Sequence, residues 1–377
     1  MRITFVMPGA DLSGGNRVVA VYADRLKRRG HDVLVVYPPP RQPTLGQRLR
    51  SVIKEHAWLG QAKQGPSHLA GYDVPRRALN QRRPVLDGDV PAADVVIATW
   101  WETAEWVARL TPSKGAKAHF IQHDERHMRE CNRSRVAATW RLPMHRITIA
   151  QWLMDLARNE FGDKHASLVL NSVDTQQFYA PRRGKQIVPT VGMLYSTVRF
   201  KGCEVSIKAF EKARLEWPDL RLVAYGAEPV SETLPLPEGS TYFMKPPQSQ
   251  IRDVYSHCDV WLCGSRSEGF HLPPLEAMAC RCPVVGTRVG GVSEIIDHGR
   301  NGYCVDVGDA DALANGLALV LRTDDTGWRY MSDAAYARAA GYTWDDATVL
   351  FEKALEHAVE RAGRGEIAGG VREIVHG

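Results

Sequence analysis

The sequence predicts an α/β protein built from two doubly wound parallel-sheet domains, and three observations support this prediction. First, a short apolar strand at Arg2–Val6 is followed by a helical pattern over 16–29 and a second strand over 33–37, which is a βαβ beginning. Second, the same alternation of strands and helices recurs beyond residues 172–185. Third, a chain of 377 residues is long enough to bury two separate cores.

The remaining predicted elements follow the same alternation. Strands are expected over 94–98, 118–122 and 146–150 in the first half, and over 190–194, 221–225, 241–244, 260–263, 284–286 and 303–305 in the second. Helices are expected over 203–216, 249–257 and 309–321. Asp309 is placed to cap the last of these, and another helix begins at 342–344, with Leu350, Phe351, Leu355 and Ala358 on one face.

Bulk composition is that of an ordinary folded protein, with 44% hydrophobic and 24% charged residues. No apolar run approaches the roughly 18 to 20 residues of a membrane span. The apolar stretch among the first eight residues is too short for the core of a signal peptide, so we expect a cytoplasmic protein. Seven scattered cysteines without a CxxC pair favour neither a disulfide framework nor a zinc site. Asp309 and Asp311 begin a helix and are not expected to bind a metal, so none is predicted.

Basic residues are concentrated in the first half, although the net charge of +5 does not resemble that of a nucleic-acid-binding protein. A solvated face is one explanation for these clusters. The alternative is an acidic acceptor, or peripheral association with the inner face of a membrane that carries a lipid-linked acceptor. The clustered residues are Arg41, Arg48, Arg50, Lys54, Lys63, Arg76, Arg77, Arg82, Arg83, Arg126, Arg129, Arg133, Arg135, Arg141 and Arg146.

The most informative segment contains two carboxylates, Glu268 and Glu276, on either side of the double proline Pro273–Pro274. Proline is tolerated in the first turn of a helix, so we expect a helix to begin near these prolines and to offer its unpaired amides to a phosphate. Glu276 would lie in the first turn, where it either stabilises the helix or binds vicinal hydroxyls such as those of a ribose. Glu268, beside the permissive Gly269, is either a solvated loop acid or a ligand for a second polyol.

The run EGFHLPPLEAMA over 268–279 resembles the signature of retaining GT-B glycosyltransferases of family 4. The resemblance implies that Glu268 contacts the donor sugar near the reacting centre and that Glu276 holds the nucleotide ribose. It assigns the diphosphate and the sugar hydroxyls to backbone amides, which here are those of Phe270, His271 and Leu272. The family most often has glycine where this chain has His271, so a side chain is expected to enter the sugar pocket.

A loop over 195–202 carries two cations, Arg199 and Lys201, at the end of a predicted strand where α/β sheets bind ligands. It is similar to the family loop whose Lys and nearby Arg clamp the diphosphate, and such cations would stabilise a leaving diphosphate. The family often has Arg where this chain has Met193, so Arg199 is expected to take over that task. Lys245 follows another strand end and is a candidate contact to the nucleotide base.

Two candidate segments lie in the first half. Gly14 and Gly15 resemble the family's first glycine loop, which approaches the diphosphate or the acceptor. His123 and Asp124 follow a predicted buried strand, at the position where family members have a His, or a Gln-Asp pair, beside the donor sugar and the acceptor hydroxyl. His123 would take a proton or bind sugar hydroxyls, and Asp124 would serve as the base instead, while a structural role for either stays open.

The resemblance as a whole implies a GT-B fold, in which two Rossmann-like domains face an interdomain cleft. We expect an acceptor-binding domain over 1–172, a nucleotide-sugar-binding domain over 173–341, a helix over 342–365 that packs back on the first domain, and a loose tail over 366–377. The implied activity is metal-independent transfer of a hexose or deoxyhexose, with retention through front-face attack, from a nucleoside diphosphate sugar to an acceptor hydroxyl. The acceptor is a polysaccharide, a lipid-linked glycan or a natural product, and no other cofactor is expected.

Three alternatives remain on sequence grounds. A nucleotide-sugar epimerase or hydrolase of the same fold would convert the donor without an acceptor. A non-catalytic sugar-nucleotide-binding subunit would bind the donor without turnover. A dinucleotide-dependent dehydrogenase is disfavoured, because the GxGxxG fingerprint is absent.

Overall fold

A computed structural model describes residues 1–55, 62–128 and 131–367 of the chain. These residues divide into two compact units. Unit 1 comprises Met1–Thr148, Leu153–Val169 and the residues from Thr348 onward, and unit 2 comprises Ile149–Trp152 and Leu170–Ala347. Most of the predicted loose tail, residues 368–377, lies outside the described residues, as does Arg129. Just before that limit, Glu366 accepts a hydrogen bond from Arg361 and Ile367 is buried.

Unit 1 contains a parallel sheet of seven strands within its described residues. The strands are β1 (Arg2–Val6), β2 (Asp32–Tyr37), β3 (Arg76–Ala78), β4 (Val95–Ala98), β5 (Ala116–Ile121), β6 (His145–Thr148) and β7 (Ser167–Leu168). Their order is β3-β2-β1-β4-β5-β6-β7, and Ile3 pairs with Val33 of β2 and with Val95 of β4. The chain therefore winds to one side of β1 and then to the other, which leaves a crevice beside the carboxyl ends of β1 and β4.

Unit 2 repeats this plan with six parallel strands among its described residues. The strands are β8 (Thr190–Tyr195), β9 (Arg221–Gly226), β10 (Thr241–Met244), β11 (Val260–Cys263), β12 (Val284–Thr287) and β13 (Gly302–Val305), in the order β10-β9-β8-β11-β12-β13. The winding direction reverses between β8 and β11, so the loops that follow these two strands meet at the usual ligand edge of such a sheet. The predicted pair of doubly wound parallel sheets is confirmed.

The connections between the strands are mostly helical. The α-helices of the described residues are α1 (Gly14–Arg28), α2 (Leu45–Glu55), α3 (Trp101–Ala108), α4 (Arg133–Thr139), α5 (Gln151–Asn159), α6 (Cys203–Glu216), α7 (Gln248–Ser256), α8 (Leu272–Ala279), α9 (Val292–Ile295), α10 (Ala310–Arg322), α11 (Asp325–Ala340) and α12 (Trp344–Gly363). Asp309 caps α10 as predicted, since its carboxylate accepts a hydrogen bond of 2.8 Å from the Ala312 amide. None of the helices in the described part of the chain has the length and apolar character needed to cross a membrane.

The core of unit 1 is centred on an aromatic cluster to which α12 contributes Phe351. The Phe351 ring stacks on Tyr22 at a centroid distance of 4.3 Å and meets Phe120 edge-on at 5.0 Å. Leu355 and Ala358 share the buried face, as the sequence predicts. Leu350 does not, because adjacent helical residues point about 100° apart, and its side chain is 40% exposed.

Replacing Phe351 with Ala is expected to lower the free energy of unfolding by about 3 to 5 kcal/mol, because it opens a cavity among three aromatic rings. Urea denaturation followed by circular dichroism measures this change. Leu350→Ala on the neighbouring, exposed position is the matched control and should change stability by less than about 0.5 kcal/mol. Equal effects of the two substitutions would show that α12 does not carry the core contact.

Candidate functional site

The candidate site of unit 2 lies where the loops after β8 and β11 meet. The first loop ends in a 3-10 turn at Arg199–Lys201, and the second contains Glu268. The Arg266 amide donates to the Phe200 carbonyl at 2.7 Å, so the two loops are joined through their backbones. Topology and backbone hydrogen bonds therefore bring together two residues that are 67 positions apart in the sequence.

Lys201 and Glu268 form a partly buried ion pair at this junction. Lys201 Nζ lies 2.9 and 3.0 Å from the two carboxylate oxygens, and Ser265 Oγ donates to Glu268 Oε1 at 2.9 Å. The Glu268 side chain is only 6% exposed, and burial alone would raise its pKa. The charge of Lys201, with hydrogen bonds from Lys201 and Ser265, outweighs burial and lowers the pKa of Glu268 below its ordinary value, and His271 adds to this effect only when its imidazole is protonated. Glu268 is thus an ionised, fixed carboxylate and not a solvated loop acid.

Two glycines with positive φ allow the loops to approach this closely. At Gly202, with φ of +57°, a Cβ would lie 1.9 Å from the Gly264 carbonyl oxygen. At Gly290, with φ of +50°, a Cβ would lie 2.5 Å from the carbonyl oxygen of Glu268. The Gly290–Gly291 turn therefore supports the backbone of the Glu268 loop.

His271 is a strained and buried residue beside the ion pair. Its φ is +74°, a conformation that few residues other than glycine adopt, and it directly precedes α8. Its side chain is 3% exposed, Nε2 lies 3.6 Å from Glu268 Oε1, and Nδ1 has no hydrogen-bond partner among the described residues. Burial lowers the pKa of His271 to about 4, so the imidazole is neutral at pH 7 and Lys201 supplies the positive charge of the site.

Helix α8 begins one residue earlier than the double proline suggested. Leu272 is its first residue, which places Pro273 and Pro274 in the first turn and Glu276 in the second. The prediction that Glu276 lies in the first turn is therefore wrong. Since the prolines have no N–H, the donors available at this helix end are the Leu272 amide and those of the preceding loop.

Glu276 is held by a chain of tyrosine hydroxyls that the sequence did not indicate. Tyr255 donates to Glu276 Oε2 at 2.8 Å, and the hydroxyls of Tyr225 and Tyr255 are 2.7 Å apart. Burial raises the pKa of Tyr255 well above its ordinary value, so the hydroxyl keeps its proton. Because Tyr255 donates its only hydroxyl proton to Glu276, Tyr225 is the donor in the second hydrogen bond. The Glu276 carboxylate, 4% exposed, is thereby oriented.

The two other cations predicted for the site are placed differently. Arg199 is exposed, and its side chain forms no hydrogen bond or ion pair with a described residue. Lys245 is also exposed, with φ of +50°, and its amide donates to the Gly226 carbonyl at 2.7 Å at the carboxyl end of β9. Unit 2 thus combines Lys201, Glu268 and His271 in one cluster but does not join Arg199 or Lys245 to it.

The candidate residues of unit 1 lie at the carboxyl ends of its strands. Gly14 and Gly15 are the first residues of α1, and Gln122 Nε2 donates to the Gly15 carbonyl at 3.2 Å. His123 follows Gln122 directly after β5 and is half-buried. The hydrogen bond from Gln122 therefore brings the His123 loop next to the start of α1.

Asp124 is buried and fully engaged by Arg126. Arg126 Nε and Nη2 donate to the two carboxylate oxygens at 2.9 and 2.8 Å, and Arg126 also pairs with Glu160. Burial raises the pKa of Asp124, but the hydrogen bond and charge of Arg126 lower it overall. A carboxylate with a lowered pKa is a weak base, so the geometry favours a structural role for Asp124.

Glu125, which the sequence did not single out, is 3% exposed and accepts a hydrogen bond of 2.9 Å from the Trp101 amide. Burial raises the pKa of Glu125 well above its ordinary value. Among the described residues, no group of three or more His, Cys, Asp or Glu side chains is arranged to hold a metal ion.

The profile of a family described as glycosyl transferases group 1 matches residues 174–338. An N-acetyl-alpha-D-glucosaminyl L-malate synthase from Bacillus anthracis is 41% identical over 88 residues, which are 23% of each chain. A D-inositol 3-phosphate glycosyltransferase from Mycolicibacterium paratuberculosis is 31% identical over 199 residues, covering 48% of this chain and 43% of the relative. The chain thus spans less than half the length of these curated relatives.

Solved structures match over nearly the whole chain at low sequence identity. Anabaena HepE in complex with UDP and glucose superimposes with a TM-score of 0.69 and 16% identity, over 94% of this chain and 99% of HepE. Sucrose-phosphate synthase from Thermosynechococcus elongatus gives a TM-score of 0.67 and 17% identity, over 94% and 98%. At such identities the likeness establishes the GT-B-like fold alone.

Replacing Lys201 with Met is expected to destabilise the protein by about 3 kcal/mol at pH 7, because it leaves a buried carboxylate without its counter-charge. The pKa of Glu268 is lowered in the folded state. The ion pair therefore stabilises the fold at pH values above 4.5, which is the ordinary pKa of a glutamate, and this stabilisation is lost as the pH falls through the pKa of the folded state. The difference between wild type and variant should therefore shrink towards low pH. Urea unfolding at neutral pH and near pH 4 measures it.

Lys212→Met is the matched control, because Lys212 pairs with the exposed Asp311 on the surface of the same unit. We expect little change in stability for this variant at either pH. A penalty for Lys201→Met that does not depend on pH would show that Glu268 is not the partner that matters.

Proposed function

We propose that this chain, whose residues 174–338 match the glycosyl transferases group 1 family, is a retaining, metal-independent glycosyltransferase. It would transfer a hexose or deoxyhexose from a nucleoside diphosphate sugar to an acceptor hydroxyl. The observation that carries this proposal is the partly buried Lys201–Glu268 pair where the winding of unit 2 reverses, followed along the chain by the oriented carboxylate of Glu276. Unit 2 is accordingly the donor unit, and unit 1 receives the acceptor.

The proposed donor contacts follow from the charges on these loops. The leaving diphosphate gains negative charge during transfer, and Lys201, Arg199 and the positive end of α8 are suited to stabilise it. Amides of Phe270, His271 and Leu272 would bind phosphate and sugar oxygens, with Gly269 allowing close approach. Glu268 would accept hydrogen bonds from the donor sugar, and Glu276 would bind the ribose hydroxyls.

UDP is the nucleotide we favour, because a protein of similar fold, Anabaena HepE, was solved in complex with UDP-glucose. Lys245, at the end of β10, would contact the base. The acceptor is the hydroxyl of a polysaccharide, a lipid-linked glycan or a small natural product.

We place His123 at the reacting centre in preference to Asp124, whose carboxylate is occupied by Arg126. Gly14 and Gly15 would allow a ligand to approach the start of α1.

A screen of nucleoside diphosphates and their sugars by thermal shift tests the donor assignment, because a ligand that binds only the folded state raises the melting temperature. Nucleotide release is then measured with and without candidate acceptors, in buffer and in excess EDTA. Release that requires an acceptor and survives EDTA supports the proposal. Conversion of the donor without an acceptor would favour an epimerase or hydrolase, and binding without any turnover would favour a non-catalytic subunit.

Glu276→Gln is expected to weaken binding of UDP by about 10- to 100-fold, because a charge-assisted hydrogen bond to a ribose hydroxyl contributes roughly 1.5 to 3 kcal/mol. Isothermal titration calorimetry measures the dissociation constant. Glu232→Gln, an exposed glutamate in the same unit, is the control and should bind UDP as the wild type does. Unchanged affinity in Glu276→Gln would refute the ribose assignment.

His123→Ala is expected to lower kcat by on the order of 100-fold without loss of the folded state, since it removes a group that takes a proton or orients the sugar. Asp124→Asn should instead lower thermal stability, through loss of the pair with Arg126, and leave kcat of the folded enzyme nearly unchanged. Steady-state kinetics combined with melting curves distinguish these results. The reverse pattern would make Asp124 the residue at the reacting centre.

A further inference from the structure

Helix α2 of unit 1 exposes its apolar stripe to solvent. Leu45, Leu49 and Val52 are spaced i, i+4 and i+7, so they lie on one face of the helix, and their exposed fractions are 72%, 57% and 40%. The polar Ser51 is buried instead, at 5% exposure. A helix on the surface of a globular protein normally buries its apolar residues, so the exposure of these three side chains is unusual.

The loop before α1 exposes a further leucine. Leu12 is 57% exposed, and its carbonyl and that of Asp11 are hydrogen-bonded to His68. Ala10 in the same loop accepts a hydrogen bond from Gln64. Gln42, just before α2, exchanges two hydrogen bonds with Ala62, of 2.8 and 3.1 Å. These contacts link the Leu12 loop to the segment that follows α2, and link that segment to the residue Gln42 before α2.

Cations flank the apolar stripe. Arg50 and Lys63 are exposed and form no ion pair with a described residue. Arg41 is 65% exposed and makes a single contact of 3.4 Å with Glu102. Asp11 Oδ1 accepts hydrogen bonds from two neutral donors, the Ser13 amide and the Asn16 side chain, so the charge of Asp11 offsets one of these three cations. The surface therefore carries an excess of positive charge beside exposed leucines.

We propose that this surface, formed by Leu12, Leu45, Leu49 and Val52 with Arg41, Arg50 and Lys63, docks on an anionic lipid bilayer. Apolar side chains on one face of a helix would enter the boundary between headgroups and acyl chains, and the cations would bind the anionic headgroups. The combination of exposed leucines and exposed cations fits a lipid surface better than an apolar protein groove, which would not satisfy the charges. If the transferase activity proposed above holds, this surface favours a lipid-linked acceptor.

Sedimentation of the full chain with vesicles of phosphatidylcholine, alone or mixed with phosphatidylglycerol, tests the proposal. We expect binding to the mixed vesicles that weakens as salt is added, because headgroup charges are screened. Leu45→Glu/Leu49→Glu should reduce this binding about tenfold or more, and Arg50→Glu/Lys63→Glu should remove its salt-dependent part. Leu215→Glu/Leu319→Glu, at positions 86% and 47% exposed in unit 2, is the matched control and should bind as the wild type does.

The proposal is overturned if the wild type does not bind mixed vesicles at low salt, if it binds neutral vesicles equally well, or if both variants of unit 1 bind as the wild type does. Gel filtration with light scattering is run in parallel, and a dimer that dissociates in Leu45→Glu/Leu49→Glu would assign the surface to a second copy instead. UDP binding is measured on every variant. Loss of vesicle binding with intact UDP binding separates the docking surface from the donor site. A wild type that binds vesicles but none of the screened nucleoside diphosphates or their sugars would refute the proposed function alone.

Discussion

The ion pair between Lys201 and the buried carboxylate of Glu268 is the interaction on which the site of unit 2 depends. A buried carboxylate is tolerated only with a partner, so the loops after β8 and β11 must meet closely enough to bring Lys201 Nζ within 2.9 Å of it. That approach in turn requires glycine at Gly202 and Gly290, where a side chain would collide with the opposing backbone. The strand order creates the crevice, and the Lys201–Glu268 pair determines which charged groups lie in it.

Strands and helices with regular apolar patterns were predictable from the sequence, and β1, β10, β11 and α6 have the predicted bounds. Elements without such a pattern were missed. β3 consists of Arg76, Arg77 and Ala78, which are all exposed at the edge of the sheet, so no apolar alternation marks it. α11 was missed although Trp328, Met331 and Ala335 of its buried face recur at helical spacing, a signal that was available.

The site was predictable as a set of residues but not as a set of contacts. The motif selects Glu268 and Glu276, yet it contains no sign that Tyr255, 21 positions before Glu276, orients that carboxylate. Nor does it show that Arg126 occupies Asp124, because a nearby arginine in the sequence does not reveal where its guanidinium points. Contacts of this kind depend on side-chain direction across packed elements, which spacing along one chain does not determine.

The two sheets share one winding plan, so topology alone offers two equivalent crevices, and only loop chemistry distinguishes them. In unit 1 the polar groups after β1 satisfy one another, as when Asn16 donates to Gly9 and to Asp11. In unit 2 the loop after β8 carries Lys201, which is paired with Glu268. Separating the two charges requires another charged or polar group to take the place of each partner. Under the proposed function, donor recognition is therefore a modular property of the second unit. A chimera that exchanged this unit between family members would carry its donor preference with it, while the acceptor preference would remain with the first.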